Sequence, residues 1–451
     1  MVMSLQDELE PLLIKLASAA NSLFEYNISQ PPEPTPEQYQ QAVAGFKSDL
    51  SELLVRFRGY YSLDGPDLAQ IADQFAVPSD RATSPTGSSA YCCIVRAKET
   101  VRGTESLVSR GQWHGEGAKK FFDNFLRPFQ QAAQIHALCA RELAISAKAL
   151  ADAVELAKES VIWICKSLLF YLGGGSAPGL APGVRQPGGQ DVAGFESILF
   201  STVSLFSAVL APELDAADVI ISIGGWITGM QSESDIPFFS SPFEVEPNGP
   251  IPAAIPLIYS AWTALNEFDQ NLAEFDTKID QGLEKDLTDS ELFDNPLARL
   301  GRPQLQSSAY QQLNSKGIDD TTDPISNTHD PVIIAIAQLF EVGYRLLPEA
   351  AEQYGIAAGI SSGAHIIGVD HQFPMAVAKF NEAAQLLDGL VTTVTDALTD
   401  SAAAIVKAAS TYRDVDAYEA GQIRELQREF VAPVSSQSSF QAQEQTPPID
   451  N

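Results

Sequence analysis

Apolar residues recur along most of this chain in alternating steps of three and four, the spacing of one face of an α-helix. Ile94, Ala97, Val101, Thr104 and Val108 share one face of a predicted helix. Further on come Phe122, Leu126, Phe129, Ala133, His136, Ala140, Leu143, Ala147, Leu150, Val154, Ala157, Val161, Ile164 and Leu168 in the same rhythm. That is a heptad seam, as in helices packed nearly parallel in a bundle or coiled coil, and its many alanines imply close helix approach. Pro128 lies early in the run and moves its expected start towards Phe129. A second seam runs through Phe373, Val377, Phe380, Ala384, Leu387, Val391, Val394, Leu398, Ser401, Ile405, Ala408, Tyr412 and Val415. Its phase persists through Asp388-Gly389, so it reads as one long helix, with a hairpin broken at the glycine as the alternative.

Shorter elements frame these two. An amphipathic helix is predicted over 4–28, stopped by Pro31-Pro32-Glu33-Pro34. Thr35-Pro36-Glu37 opens another, running to about Arg58, because threonine caps, proline fits the first turn and an early acid suits the helix dipole. A short helix over 66–75 leads into the polar linker 78–88. Gly173–Gly189 and Ile236–Pro256 read as Gly/Pro-rich loops. Helices are also predicted over 257–287 and, as partner to the last long one, over 332–354. The consecutive segments are then N-terminal helices in 1–77, a helical hairpin in 86–172, apolar helices and loops in 190–330, a C-terminal helical hairpin in 331–431, and a Ser/Gln/Pro-rich tail in 432–451 expected to be disordered. The fold class is all-α, an elongated helical bundle built from long amphipathic hairpins.

Composition narrows the function. The 451 residues carry a formal charge of -30 and are 45% hydrophobic. A core of good size is affordable, while the charge repels phosphate backbones and so argues against nucleic acid as a partner. Cys92, Cys93, Cys139 and Cys165 have no framework spacing and read as buried free thiols. No basic start before an apolar stretch precedes Asp7, Glu8 and Glu10, so export without a cleaved signal peptide is the expectation. The apolar stretches 197–212 and 219–230 fall short of the about 20 residues that span a bilayer. They read as buried core helices, with a membrane-active hairpin as the alternative.

No catalytic constellation emerges. His136 sits on the seam and reads as a packed core histidine. His365 and His371 flank Asp370, but their spacing matches no metal signature. Gly173-Gly174-Gly175 lacks a following Lys-Ser/Thr and reads as linker. The expectation is a non-enzymatic protein with no cofactor and no metal.

Two short motifs remain. Between the first predicted hairpin helices stands Trp113-His114-Gly115, where glycine permits reversal and the indole covers the end of the pair. Near the end of the last long helix stands Tyr412-Arg413-Asp414-Val415-Asp416, which sets tyrosine and acid four apart on one face. With both motifs, the chain resembles the helical-hairpin substrates and associated proteins of the type VII (ESX) secretion system. The resemblance covers about 150 residues in two separated pieces. It implies that Trp113 and Gly115 form the hairpin turn, with Ala118 and Phe122 at the small and aromatic positions that follow. Tyr412 and Asp416 would be the export signal. The two motifs lie far apart here, whereas the family carries both on one hairpin or on paired chains, and Tyr60-x-x-x-Asp64 repeats the pattern at a helix end. The resemblance further implies a cytoplasmic protein, later secreted or displayed at the cell surface, that acts by protein–protein contact. Its expected partners are a secretion-system ATPase or chaperone and a helical partner protein or a second copy of itself. The alternative is an α-helical pore-forming toxin that engages membranes through 197–230.

Overall fold

The structure is a computed structural model that describes residues 4–29, 35–65, 67–77, 87–109, 118, 121–176, 254–288, 292–300 and 336–415. These residues form helices and turns, with no strand among them. The fold is an all-α bundle. In chain order the helices are α1 (Leu5–Ile28), α2 (Pro36–Gly59), α3 (Leu68–Phe75), α4 (Ala90–Ser109), α5 (Arg127–Tyr171), α6 (Ala254–Thr288), α7 (Leu347–Gly363) and α8 (Pro374–Val415). Among the described residues no helix is long and apolar enough to cross a membrane. The apolar stretch 197–230 and the tail 432–451 lie outside the described residues.

Two compact units are each assembled from three stretches: 1–82, 140–289 and 363–385 in the first, 83–139, 290–362 and 386–451 in the second. This partition follows spatial contact, whereas the segments named from the sequence follow chain order. In the first unit α1, α2 and α6 pack on one another, with Phe24 stacked on Phe46 at 4.1 Å. The expected capping box is formed: Thr35 Oγ1 accepts from the Gln38 N–H at 3.3 Å, and Gln38 Oε1 accepts from the Thr35 N–H at 3.0 Å.

Two further helix starts in this unit are capped by acids from elsewhere in the chain. Asp64 accepts from the N–H groups of Leu5 at 2.8 Å and Gln6 at 3.2 Å, at the start of α1. Asp276 of α6 accepts from Met375 at 3.0 Å and Ala376 at 2.7 Å, at the start of α8. Both acids satisfy orphan donors and sit at the positive end of a helix dipole. Arg58 grips the Glu10 carboxylate through two nitrogens at 3.0 and 2.7 Å, and the Tyr61 hydroxyl donates to the same group. These charge-assisted bonds hold the Glu10 carboxyl down at about 2.

In the second unit, α4 packs on two wide π turns, Phe122–Leu126 and Val342–Leu346. Each π turn ends two residues before a proline, Pro128 and Pro348, that lies inside a helix. A proline ring clashes with the carbonyl four residues back, and an i→i+5 turn widens the backbone at that place. Helical backbone is therefore present upstream of Pro128, at Ala118 and from 121 onward, rather than starting at Phe129. In the second π turn, a Cβ on Gly343 would meet Val406 Cγ2 at 2.6 Å and the Ala402 carbonyl at 3.0 Å, so a side chain there would push α8 away.

Both predicted seams are buried. Every residue of the first seam from Leu126 to Leu168 is buried, and every one of the second from Phe373 to Ile405. Asp388-Gly389 does not interrupt α8, which is one continuous helix. Near its end the buried position moves from Ala408 to Ala409, the drift expected when 3.6 residues per turn meets a 3.5-residue repeat. The helix before α8 differs from the sequence expectation, running from 336 through the π turn to Gly363 rather than stopping at Tyr354. α5 ends where Gly173 takes φ 78, allowing the Gly174 N–H to reach the Leu169 carbonyl at 3.0 Å and close the last turn.

Candidate functional site

Of the four residues singled out by the motifs, Trp113, Gly115 and Asp416 lie outside the described residues. Tyr412 belongs to the last turn of α8 as backbone, and its side chain is likewise outside them. On either side of Trp113-His114-Gly115, α4 ends at Ser109, and backbone is helical at Ala118 and from 121 onward.

The polar chemistry that is described lies buried along α5. In the second unit His136 is fully enclosed. Its Nε2 stands 2.8 Å from the Ala298 carbonyl and its Nδ1 3.3 Å from the Tyr354 hydroxyl. A carbonyl can only accept, so Nε2 carries the proton and Nδ1 accepts from the tyrosine. Burial pulls the imidazole down to about 4, from an ordinary 6.5, and the bond to the Ala298 carbonyl opposes that shift. Burial likewise raises the Tyr354 hydroxyl well above its usual range. The ring of Phe129 lies 5.7 Å from that of Tyr354, and Phe125 and Phe121 continue the row. A neutral histidine with both nitrogens engaged and no path to solvent is suited to packing; it offers no lone pair to a substrate.

In the first unit, Glu142 of α5 faces Asp286 of α6, and the two are 3% and 1% exposed. Burial, followed by the neighbouring acid, raises the Glu142 carboxyl well above the carboxylate range. This pair can hold a proton between two helices.

Metal and thiol chemistry find little support here. Among the described residues no group of three His, Cys, Asp or Glu side chains could hold a metal ion. His365 and His371 are exposed, and Asp370 between them accepts from the Gly368 N–H at 3.0 Å, an acid used to shape its own turn. All four cysteines are buried and free, and burial pushes the Cys165 thiol up to about 12, far from a reactive thiolate.

No family model, no curated protein and no solved structure matches this chain.

Sequence reading found His136 and assigned it to the core. It missed Tyr354 and the Ala298 carbonyl as its partners, and the Glu142–Asp286 pair entirely. One signal was present: Arg141-Glu142 is a charged dipeptide within an otherwise alanine-rich seam, and an α5 buried on every side must find partners for it.

Proposed function

We propose that this chain is a non-enzymatic, secreted helical protein exported by a type VII-like system, acting through contacts with other proteins. The observation that carries this reading is the unbroken helix of α8 through Tyr412. The described helix reaches Val415 and stops short of Asp416, and a tyrosine and an acid four apart would share one face if the helix continues. The helical stretches on both sides of Trp113-His114-Gly115 supply the setting that a hairpin turn requires. In this reading Trp113 and Gly115 shape the turn, and Tyr412 and Asp416 are read by a secretion ATPase or chaperone before export.

The test is export of the wild type and of Tyr412→Ala from a bacterium carrying such a system. The expected result is loss of the variant from the culture supernatant, with its cellular level unchanged. Equal export of the two chains would remove the reading.

A further inference from the structure

We propose that His136 is an acid-sensitive pin of the second unit: the neutral ring ties α5 to the 296–298 turn and to α7, and it gives them up by taking a proton as that unit opens in acid. The ring is fully enclosed and joins three stretches of one unit that lie far apart in the chain. Its Nε2–H donates to the Ala298 carbonyl at 2.8 Å, and the Tyr354 hydroxyl donates to its Nδ1 at 3.3 Å. Only the neutral ring serves both bonds as they stand. A proton on Nδ1 turns that acceptor into a donor, and the Tyr354 hydroxyl loses the acceptor of its own hydrogen. The added charge would also sit in an enclosed interior with no described counter-ion beside it.

The charges of the unit are engaged elsewhere. On α5 the positions three and four away from His136 are Ala132, Ala133, Cys139 and Ala140, of which only the buried Cys139 thiol titrates. Arg127 lies at the exposed start of α5, over the Phe122 ring at 5.7 Å. Beside Ala298, Asp294 and Arg299 pair with each other at 3.0 Å on the surface. On α7, Glu349 and Glu352 are exposed, and at the π turn before it Glu341 pairs with Arg345. On α4, Arg96 donates to the Gly87 carbonyl at 2.5 Å, Glu99 pairs with Arg102 at 3.6 Å, and Lys98 has contacts of its own. In the part of α8 that belongs to this unit, Asp396, Asp400 and Lys407 are exposed, and Asp388 accepts from Thr392 at 3.4 Å. What acts on the ring is burial, opposed by the Ala298 carbonyl.

The direction of the pH response follows. Burial holds the imidazole at about 4 against an ordinary 6.5, so the opened unit takes up a proton where the closed one refuses it. Below about 6.5 each tenfold rise in proton concentration favours opening by about tenfold, until the closed form also protonates near 4. The first unit does not share that window. Arg58 and Tyr61 hold Glu10 at about 2, so its clamp is lost only as pH falls from about 4.5 towards 2. The raised carboxyls of Glu142 and Asp276 add stability in acid. Between about 6.5 and 4.5 the second unit therefore loosens alone, and its opening bares the Tyr354 ring and that of Phe129, packed on it at 5.7 Å.

Hydrogen–deuterium exchange of the full-length chain, corrected for the intrinsic pH dependence of amide exchange, tests the pin. Between roughly pH 7 and 5, protection of 127–139 and 347–362 is expected to fall by about 20-fold, while that of α1 and α2 stays level. His136→Gln can still donate to the Ala298 carbonyl and accept from Tyr354 but does not titrate, so it should keep its protection across this range. Unchanged protection of the second unit in the wild type, an equal fall in both units, or an equal fall in His136→Gln would each overturn the pin. A ring-labelled histidine spectrum of the wild type needs no variant to fold. One imidazole of the five should remain neutral at about pH 5 with its proton on Nε2, and a spectrum in which all five are imidazolium there would overturn the pin.

Discussion

α5 and α8 carry the same seam and live in different surroundings. From Ala132 to Val154, α5 has no exposed residue on any side, including positions far from the seam such as Ala144, Ile145, Ala149 and Ala153. α8 buries one stripe and turns Glu382, Gln385, Thr392, Thr393, Asp396 and Thr399 to solvent. Aligned on their seams, Leu143, Ala147 and Leu150 of α5 correspond to Leu387, Val391 and Val394 of α8. Ala149 therefore occupies the register of Thr393, and one is 0% exposed where the other is exposed. A heptad fixes which face a helix buries first; the residues off the seam decide whether it buries the rest. Alanine, serine and cysteine off the seam permit neighbours on every side, whereas threonine and acids hold a face in water.

The widest gap should appear when the same charge is placed at matched positions. Ala149→Lys buries an unpaired cation and is expected to cost about 3–5 kcal/mol. Thr393→Lys stays in solvent and is expected to change stability by no more than about 0.5 kcal/mol. Urea unfolding of the two variants checks this, and similar losses would break the comparison.

Enclosure also means that polar groups on α5 must find partners inside the protein, as His136 does. Tyr354→Phe removes the donor to Nδ1 and is expected to cost about 1–3 kcal/mol, the range for stranding a buried acceptor. The fold binds the neutral imidazole, so the stability linked to His136 is complete above about 6.5 and is lost as pH falls towards about 4. Unfolding midpoints measured through that window should decline in the wild type. A His136→Phe chain that still folds should lose this part of the decline.

Much of the architecture was legible before the structure. The capping chemistry at Thr35 named the start of α2, and the uninterrupted phase through Gly389 named α8 as one helix, because both signals are local. The burial of α5 off its seam was harder to read. Its alanines showed that neighbours could come close, but nothing local says how many do. The pairing of Glu142 with Asp286, and the capping of α8 by Asp276, join residues far apart in sequence, and no periodicity encodes them. The π turns before Pro128 and Pro348 were hidden for another reason. Proline is read locally as a helix breaker, and the wide turn that accommodates it forms where the segment is held in a packed unit.

Thiol labelling of the native chain tests the central contrast most directly. With the four native cysteines buried, a cysteine introduced at Thr393 should react at once with a soluble alkylating reagent, whereas one introduced at Ala149 should react only when the protein unfolds. Comparable labelling rates at the two positions under native conditions would contradict the claim that α5 is enclosed where α8 is open.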